Sequence, residues 1–267
     1  MLKGKFKTLV PAMMLATASV GAQADVLGFD ITLELGSGLT DSQKDVFTQA
    51  ELFWESQITG YEGDIRFSPA LTITANAAAN DGVGGVLGSA GPRTGYDNRA
   101  YNGKLYTATG EMSFDSADID NLESNGSLFE VIVHEMAHVL GFGTLWTYNG
   151  LYVEGSGEYT GEYALAAYQA ETDSSASYVP VELEGGEGTA DGHWDEGWLL
   201  GGSELMTGWL EGVTTLSSVT LAQFRDLGYL VADYDVEVPD VPSDVPAPLI
   251  GGLMLGLFAF GRRKKAA

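Results

Sequence analysis

The 267-residue chain has no cysteine, only three histidines and few positive charges. Without cysteine there are no disulfide bonds, so stability has to come from core packing and from any bound metal. Only six of the 13 Lys and Arg lie between Asp25 and Pro248, a segment that contains all 37 Asp and Glu. The formal charge of this segment, −31, excludes nucleic acid and anionic lipid as its partners.

Long apolar runs are also scarce, and the two that exist lie near the chain ends. Three lysines precede the first run, at 9–20, and Ala22 and Ala24 supply the small-x-small pattern that signal peptidase reads. We therefore predict a signal peptide over 1–24 and an exported protein. The main domain is predicted over 25–232.

The second apolar run, 249–261, follows a linker at 233–248 that is rich in Asp, Val and Pro, and it precedes the basic residues 262–265. Thirteen residues are short for a membrane-spanning helix, and the basic end would stay on the cytoplasmic side. With V-P-A-P before it, this tail resembles the PEP-CTERM sorting signal of Gram-negative bacteria. The resemblance implies an exosortase-like sorting enzyme as a partner, and the alternative is a permanent anchor. We expect the protein at the cell surface, in the extracellular matrix or secreted, with membrane contact only through 249–261.

Hydrophobic periodicity predicts a mixed α and β domain. The predicted strands are 29–35, 71–75 and 178–183, and the predicted helices are 41–58, 128–140, 163–170 and 221–227. The glycine-rich stretch 81–88 lacks the lysine and the following helix of a phosphate loop, and we interpret it as a turn-rich edge element beside a cleft. For the helix at 128–140, Ser127 and Glu130 predict a capping box and Gly141 predicts the end.

Residues 134–138 read H-E-M-A-H, the motif H-E-x-x-H. On a helix, residues four apart differ by roughly 40° in direction and by about 6 Å along the axis, so both imidazoles can grip one ion. Glu135 lies one step round the helix and can reach a metal-bound water without being a ligand. The motif therefore predicts a zinc hydrolase with His134 and His138 as ligands and Glu135 as general base.

A catalytic zinc needs a third protein ligand. The short route would place a histidine three residues after Gly141, but that position is Thr144, whose hydroxyl is a poor zinc ligand. His193 is the only histidine left, so we predict it as the third ligand. Asp195 or Glu196 would be the fallback.

Three strings together resemble the leishmanolysin-type metzincin metallopeptidases: H-E-M-A-H-V-L-G-F-G-T-L-W at 134–146, H-W at 193–194 and E-L-M-T-G at 204–208. The resemblance covers roughly 29–229. It implies an α+β fold with an N-terminal mixed sheet, two long helices including 128–140, and an irregular C-terminal lobe. It also implies one catalytic zinc on the three histidines and a structural methionine turn at Met206.

The implied activity is that of an exported zinc endopeptidase acting on protein or peptide substrates. Unlike the parasite surface enzymes of the family, the chain has no cysteine and no evident pro-segment after residue 24. No tyrosine follows Met206 at short spacing, which leaves Tyr229 as the candidate oxyanion donor. Two alternatives stay open: an adhesion protein whose zinc is structural, and a zinc amidase acting on non-peptide bonds.

Calcium is a further candidate cofactor, because two groups of acidic residues offer the oxygen ligands that it prefers. The groups are Asp115, Asp118 and Asp120, and Asp191, Asp195 and Glu196. Neither matches an EF-hand loop, and a solvated acidic surface is the alternative interpretation.

Overall fold

The computed structural model describes residues 28–66, 70–198, 203–209, 214–232 and 258–261. These residues form nine strands and six α-helices, a mixed α and β arrangement compatible with the predicted α+β class. The strands are β1 (Asp30–Leu35), β2 (Ile58–Tyr61), β3 (Ala70–Ala78), β4 (Val86–Asp97), β5 (Leu105–Asp115), β6 (Glu158–Tyr159), β7 (Val179–Pro180), β8 (Tyr229–Val231) and β9 (Phe258–Gly261). The helices are α1 (Asp41–Gln57), α2 (Arg99–Asn102), α3 (Ile119–Asn125), α4 (Leu128–Leu140), α5 (Glu162–Glu171) and α6 (Ser218–Asp226).

The core of the fold is a five-stranded mixed sheet in the order β1-β3-β5-β4-β9. Strands β1, β3 and β5 are parallel, whereas β4 runs antiparallel to β5 and β9 runs antiparallel to β4. Buried and more exposed residues alternate along β3, the half-buried pattern that its sequence predicts. Strands β2 and β8 pair in a second small sheet, and β6 and β7 in a third.

Helix α4 carries the H-E-x-x-H motif and packs against both α1 and the sheet. The indole nitrogen of Trp54 on α1 donates to the carbonyl of Val133 at 3.0 Å. On the sheet side, the hydroxyl of Thr107 donates to the carbonyl of Val139 at 2.6 Å. A Cβ at Gly110 on β5 would lie 2.3 Å from a Val139 methyl, so only glycine permits this close approach. Packing thus fixes the helix from two sides.

The ends of α4 confirm one prediction and correct another. Gly141, at φ +118°, ends the helix as predicted. The predicted capping box is wrong, because the Ser127 side chain makes no capping hydrogen bond and its backbone is already helical. Helix α3 ends at Asn125 and Gly126 is its C-cap, so Ser127 follows that cap directly and no extended residue is left to cap α4. A capping box does form at α1, between Thr40 and Gln43.

The elements after α4 are shorter and less regular. Predicted helices 163–170 and 221–227 appear as α5 and α6, and α6 begins three residues early because the Ser217 hydroxyl accepts from the Thr220 amide. Predicted strand 178–183 is reduced to β7, and Val181 pairs singly with Trp194. The glycine-rich stretch is a turn that leads into β4.

The predicted signal peptide at 1–24 and the linker at 233–248 lie outside the described residues. Of the predicted apolar tail, the structure describes 258–261, which form β9. Within the described ranges no helix has both the length and the apolar character needed to cross a membrane.

Asp226, the last residue of α6, joins that helix to α5. Its buried carboxylate accepts from the amides of Tyr163 and Ala164, at 2.8 and 3.0 Å, and from the Tyr159 hydroxyl at 3.1 Å. These bonds satisfy amide donors at the start of α5. The effect of burial on the pKa of Asp226 outweighs the opposing effect of these hydrogen bonds, and the pKa is raised to about 6.

The pKa of Asp226 predicts a pH dependence of stability. A carboxyl with a raised pKa in the folded state stabilises the fold fully below its unfolded pKa of 3.8, and this contribution is lost as pH rises through about 6. The shift corresponds to about 3 kcal/mol. In denaturant titrations from pH 4 to 8, the free energy of unfolding of the wild type should fall by about that amount relative to Asp226→Asn. Parallel pH profiles for the two proteins would contradict the assignment.

Candidate metal centre

The three histidines of the chain meet in one buried cluster. Helix α4 supplies His134 and His138, and the loop after β7 supplies His193; all three side chains have 0% exposure. Their Nε2 atoms lie 3.0 to 3.1 Å from one another. Within the described ranges, this is the only group of three or more His, Cys, Asp or Glu close enough to hold a metal ion.

Each imidazole turns its other nitrogen, Nδ1, toward a backbone carbonyl. The pairs are His134 with Leu205 (2.7 Å), His138 with Phe142 (3.0 Å) and His193 with Thr189 (2.8 Å). A carbonyl oxygen only accepts hydrogen bonds, so every Nδ1 carries the proton. In the neutral rings, every Nε2 therefore presents a lone pair to the centre of the cluster. Metal-binding histidines are oriented in this way.

The electrostatics of the cluster favour neutral rings and a bound cation. Burial, with a smaller effect from neighbouring imidazoles, holds the pKa of His134 and His138 well below the usual value. Burial lowers the pKa of His193 to about 4. Three lone pairs about 3 Å apart repel one another unless a cation lies between them. The centre of the triangle is about 1.8 Å from each nitrogen, near the zinc–nitrogen distance of roughly 2.0–2.1 Å, so the residues fit a metal ion.

Glu135 lies beside the cluster with its carboxylate buried. Neither carboxylate oxygen has a hydrogen-bond partner among the described residues, and burial raises the pKa of Glu135 well above the usual value. Strand β4 passes it at Gly88, where an added Cβ would lie 2.9 Å from the Glu135 Oε1 atom. Buried polar atoms in native proteins nearly always have partners. The Glu135 carboxylate is therefore suited to accept a hydrogen bond or a proton from a molecule bound at the histidine cluster.

Trp194 anchors the loop that carries His193. Its ring stacks on Trp146 with centroids 5.0 Å apart, and its indole nitrogen donates to the Thr220 hydroxyl at 2.9 Å. Its backbone amide donates to the carbonyl of Met206 at 3.0 Å. The residue next to the third histidine is thus fixed by packing and by the hydrogen bonds that it donates to two other segments.

The turn after α4 also supports this loop. A Cβ at Gly143, which has φ +69°, would lie 2.5 Å from the Gly192 carbonyl oxygen, so the two backbones touch. Asp191 is the one described non-glycine residue with positive φ, at 64°, and its carboxylate accepts from the Gly155 amide at 2.7 Å and from the Tyr152 hydroxyl. These contacts explain how a histidine 55 positions after His138 reaches the helix.

Met206 lies in the turn whose Leu205 carbonyl orients His134, and its side chain is fully buried. Glu204, also fully buried, holds this turn: its carboxylate accepts from the Met206 amide and from the hydroxyls of Ser217 and Thr220. Sequence reasoning missed a role for Glu204. A glutamate in a chain with 37 acidic residues gives no indication that it is buried.

The other residues considered in the sequence analysis lie outside the group of three histidines. The Thr144 hydroxyl donates to the carbonyl of His138 at 2.7 Å. Asp195 and Glu196 are not part of the histidine cluster. Tyr229, the predicted oxyanion donor, packs among aromatic rings, and its hydroxyl donates to the carbonyl of Leu140 at 3.0 Å. The Tyr229 hydroxyl is thus bonded to the last residue of α4.

The acidic group predicted for calcium does not converge on a point either. The Asp115 carboxylate accepts from the amides of Gly82 and Ala117, at 2.8 Å each. Asp118 accepts from the Gly84 amide and Asp120 from the Gln43 side chain. The carboxylates of Asp115 and Asp118 thus hold the turn before β4, and that of Asp120 connects α3 to α1. The second group, around His193, likewise forms no metal-binding cluster in the described part of the chain.

A scan against protein-family models finds no match for this chain, and a search of curated proteins finds no significant match. The geometry of the chain itself therefore defines its class. It is a mixed α and β protein with three buried histidines close enough together to bind a metal ion.

Proposed function

We propose that the chain is an exported zinc-dependent endopeptidase of the leishmanolysin type. The observation that carries the proposal is the convergence of the Nε2 lone pairs of three neutral imidazoles beside the buried carboxylate of Glu135, which has no hydrogen-bond partner among the described residues. A structural zinc site normally has four protein ligands, whereas a catalytic site has three and keeps one position open. The three-histidine set supports the catalytic type.

Zinc is the metal that the donor set favours, because three imidazoles without a carboxylate or thiolate form a common catalytic zinc site. When bound, zinc would lower the pKa of a water molecule and polarise a carbonyl group. The ion would be held by the Nε2 atoms of His134, His138 and His193, whose carbonyl partners already fix the imidazole tautomer that this requires. Glu135 would take a proton from the attacking water and return it to the leaving amine.

Several features support the family-level part of the proposal. The helix with H-E-x-x-H packs on a mixed sheet, the third histidine comes from a distant loop, and the turn at Met206 contacts the first histidine through Leu205. This order of parts is what the resemblance implies. The site would act outside the cytoplasm, as the predicted export signal and tail imply.

A second function is favoured by one observation. All three histidines and Glu135 have 0% exposure, which is also expected of a structural metal site in an adhesion protein. Glu135 argues for the peptidase, because its buried carboxylate has no hydrogen-bond partner in the described part of the chain and a purely structural site gains nothing from such a group.

Removal and return of the metal tests the proposal. The full chain and a chain without 249–267 are assayed on an unfolded protein substrate before chelation, after chelation and after addition of zinc. We expect cleavage to fall at least tenfold on chelation and to return as one zinc binds per chain. A zinc ion that binds with this stoichiometry in both proteins, without cleavage by either, would favour the structural site.

A further inference from the structure

The far edge of the main sheet is occupied by the tail of the chain itself. Strand β9 pairs antiparallel with the start of β4, with Phe260 opposite Gly88, Ala259 opposite Ser89 and Phe258 opposite Ala90. In sequence, 258–261 are F-A-F-G, an uncharged apolar segment in a strongly acidic protein. Because β9 takes the edge position, the β4 edge is paired in this structure.

The paired stretch of β4 is also the stretch that borders Glu135. Gly88 is the β4 residue whose Cβ position lies 2.9 Å from the Glu135 carboxylate, and it is paired with β9. Paired strands lie about 4.8 Å apart, so β9 runs one strand spacing beyond β4. Strand β9 also runs close to α4, the helix that carries His134 and His138.

A free β4 edge would present backbone donors and acceptors to an extended peptide. A peptide that paired there would pass beside Glu135, and it would need the same backbone groups that β9 uses. The complete burial of the three histidines and Glu135 fits a centre that is closed in this arrangement.

We propose that 258–261 act as an intramolecular occupant of the peptide-binding edge of β4, and that this segment competes with substrate for that edge and so lowers activity at low substrate concentration. The inhibitory part rests on the proposed peptidase function, whereas the pairing of β9 with β4 does not. A tethered segment competes at an effective concentration in the mM range for a short tether, so even weak pairing excludes a dilute substrate.

Amide hydrogen exchange tests the pairing without using activity. The full chain carrying Glu135→Gln, which avoids self-cleavage, is compared with the same variant lacking 249–267. The amides of 86–90 that face β9 should exchange at least tenfold faster without the tail, while those of β3 stay unchanged. Equal exchange in the two proteins would overturn the proposal.

Two substitutions in the intact chain provide a matched control. The double variant Ala259→Pro with Phe260→Pro removes two consecutive backbone donors, one of which faces β4, and should reproduce the deletion. Ala259→Ser keeps both donors and should retain the protection of 86–90. If the double proline variant also retained it, β9 would not be the protecting element.

Kinetics then separate this proposal from the proposed function. With wild-type Glu135, deletion of 249–267 should lower the KM for a peptide substrate about tenfold with little change in kcat. A synthetic peptide of residues 258–265, FAFGRRKK, should restore competitive inhibition in the deleted protein. Equal KM values in two active proteins would refute the inhibition alone. Loss of protection without hydrolysis by either protein would refute the peptidase function while the pairing stands.

Discussion

Replacing Glu135 by Gln should lower kcat on a peptide substrate by about a thousandfold and leave the metal bound. The amide is nearly the same size but cannot take a proton from water, and the three imidazoles that would hold the metal are unchanged. The carboxylate is buried without a hydrogen-bond partner among the described residues, so its replacement disrupts no bond in that part of the fold. Steady-state kinetics and metal analysis on the same sample measure both outcomes.

The stability of this variant adds an independent readout. Burial raises the pKa of Glu135 well above the usual value, so an ionised carboxylate is costly at this position. A neutral amide avoids that cost, and the metal-free variant should be at least as stable as the metal-free wild type. Glu130→Gln is the matched control, since it changes a partly exposed glutamate on the same helix and should leave kcat within about twofold. Near-normal turnover by Glu135→Gln would remove this residue from the mechanism.

The helix with the metal-binding motif could be predicted because its information is local. Helical spacing puts His134 and His138 on one face, and the structure confirms the bounds 128–140. His193 could be predicted by elimination, since only three histidines exist and two are paired on the helix. The clustering of rare residues such as these histidines can therefore be predicted without knowledge of the fold.

The supporting contacts could not be predicted, because they depend on tertiary packing. Glu204 gives no sign in the sequence that it holds the Met206 turn, and Ser127 fails as a cap because the C-cap of α3, Gly126, directly precedes it. The position of β9 likewise depends on tertiary packing and could not be predicted from the sequence. An apolar run before a basic end indicates a membrane segment by composition, yet its residues 258–261 pair with the sheet edge. A partner strand can be identified only when the free edge of the sheet is known.

Replacing His193 by Ala should weaken zinc binding at least about a hundredfold, since loss of an outer-shell partner alone typically costs 10–100-fold. Two imidazoles would remain on α4, without the third Nε2 that lies 3.0 Å from that of His138. Hydrolysis should fall with metal occupancy. Isothermal titration with zinc, followed by metal analysis of the purified variant, measures the loss.

Asp195→Asn and Glu196→Gln are the matched controls, because these carboxylates were the fallback ligands and neither joins the histidine cluster. Both variants should keep one zinc per chain, and a His193→Ala variant that kept it too would return the third ligand to one of them. Stability separates ligation from packing. A hundredfold weaker site corresponds to about 3 kcal/mol less stabilisation at saturating zinc, a difference from wild type that should shrink on chelation. A difference that chelation leaves unchanged would make His193 a packing residue only, since the loss of a ligand can matter only while the metal is present.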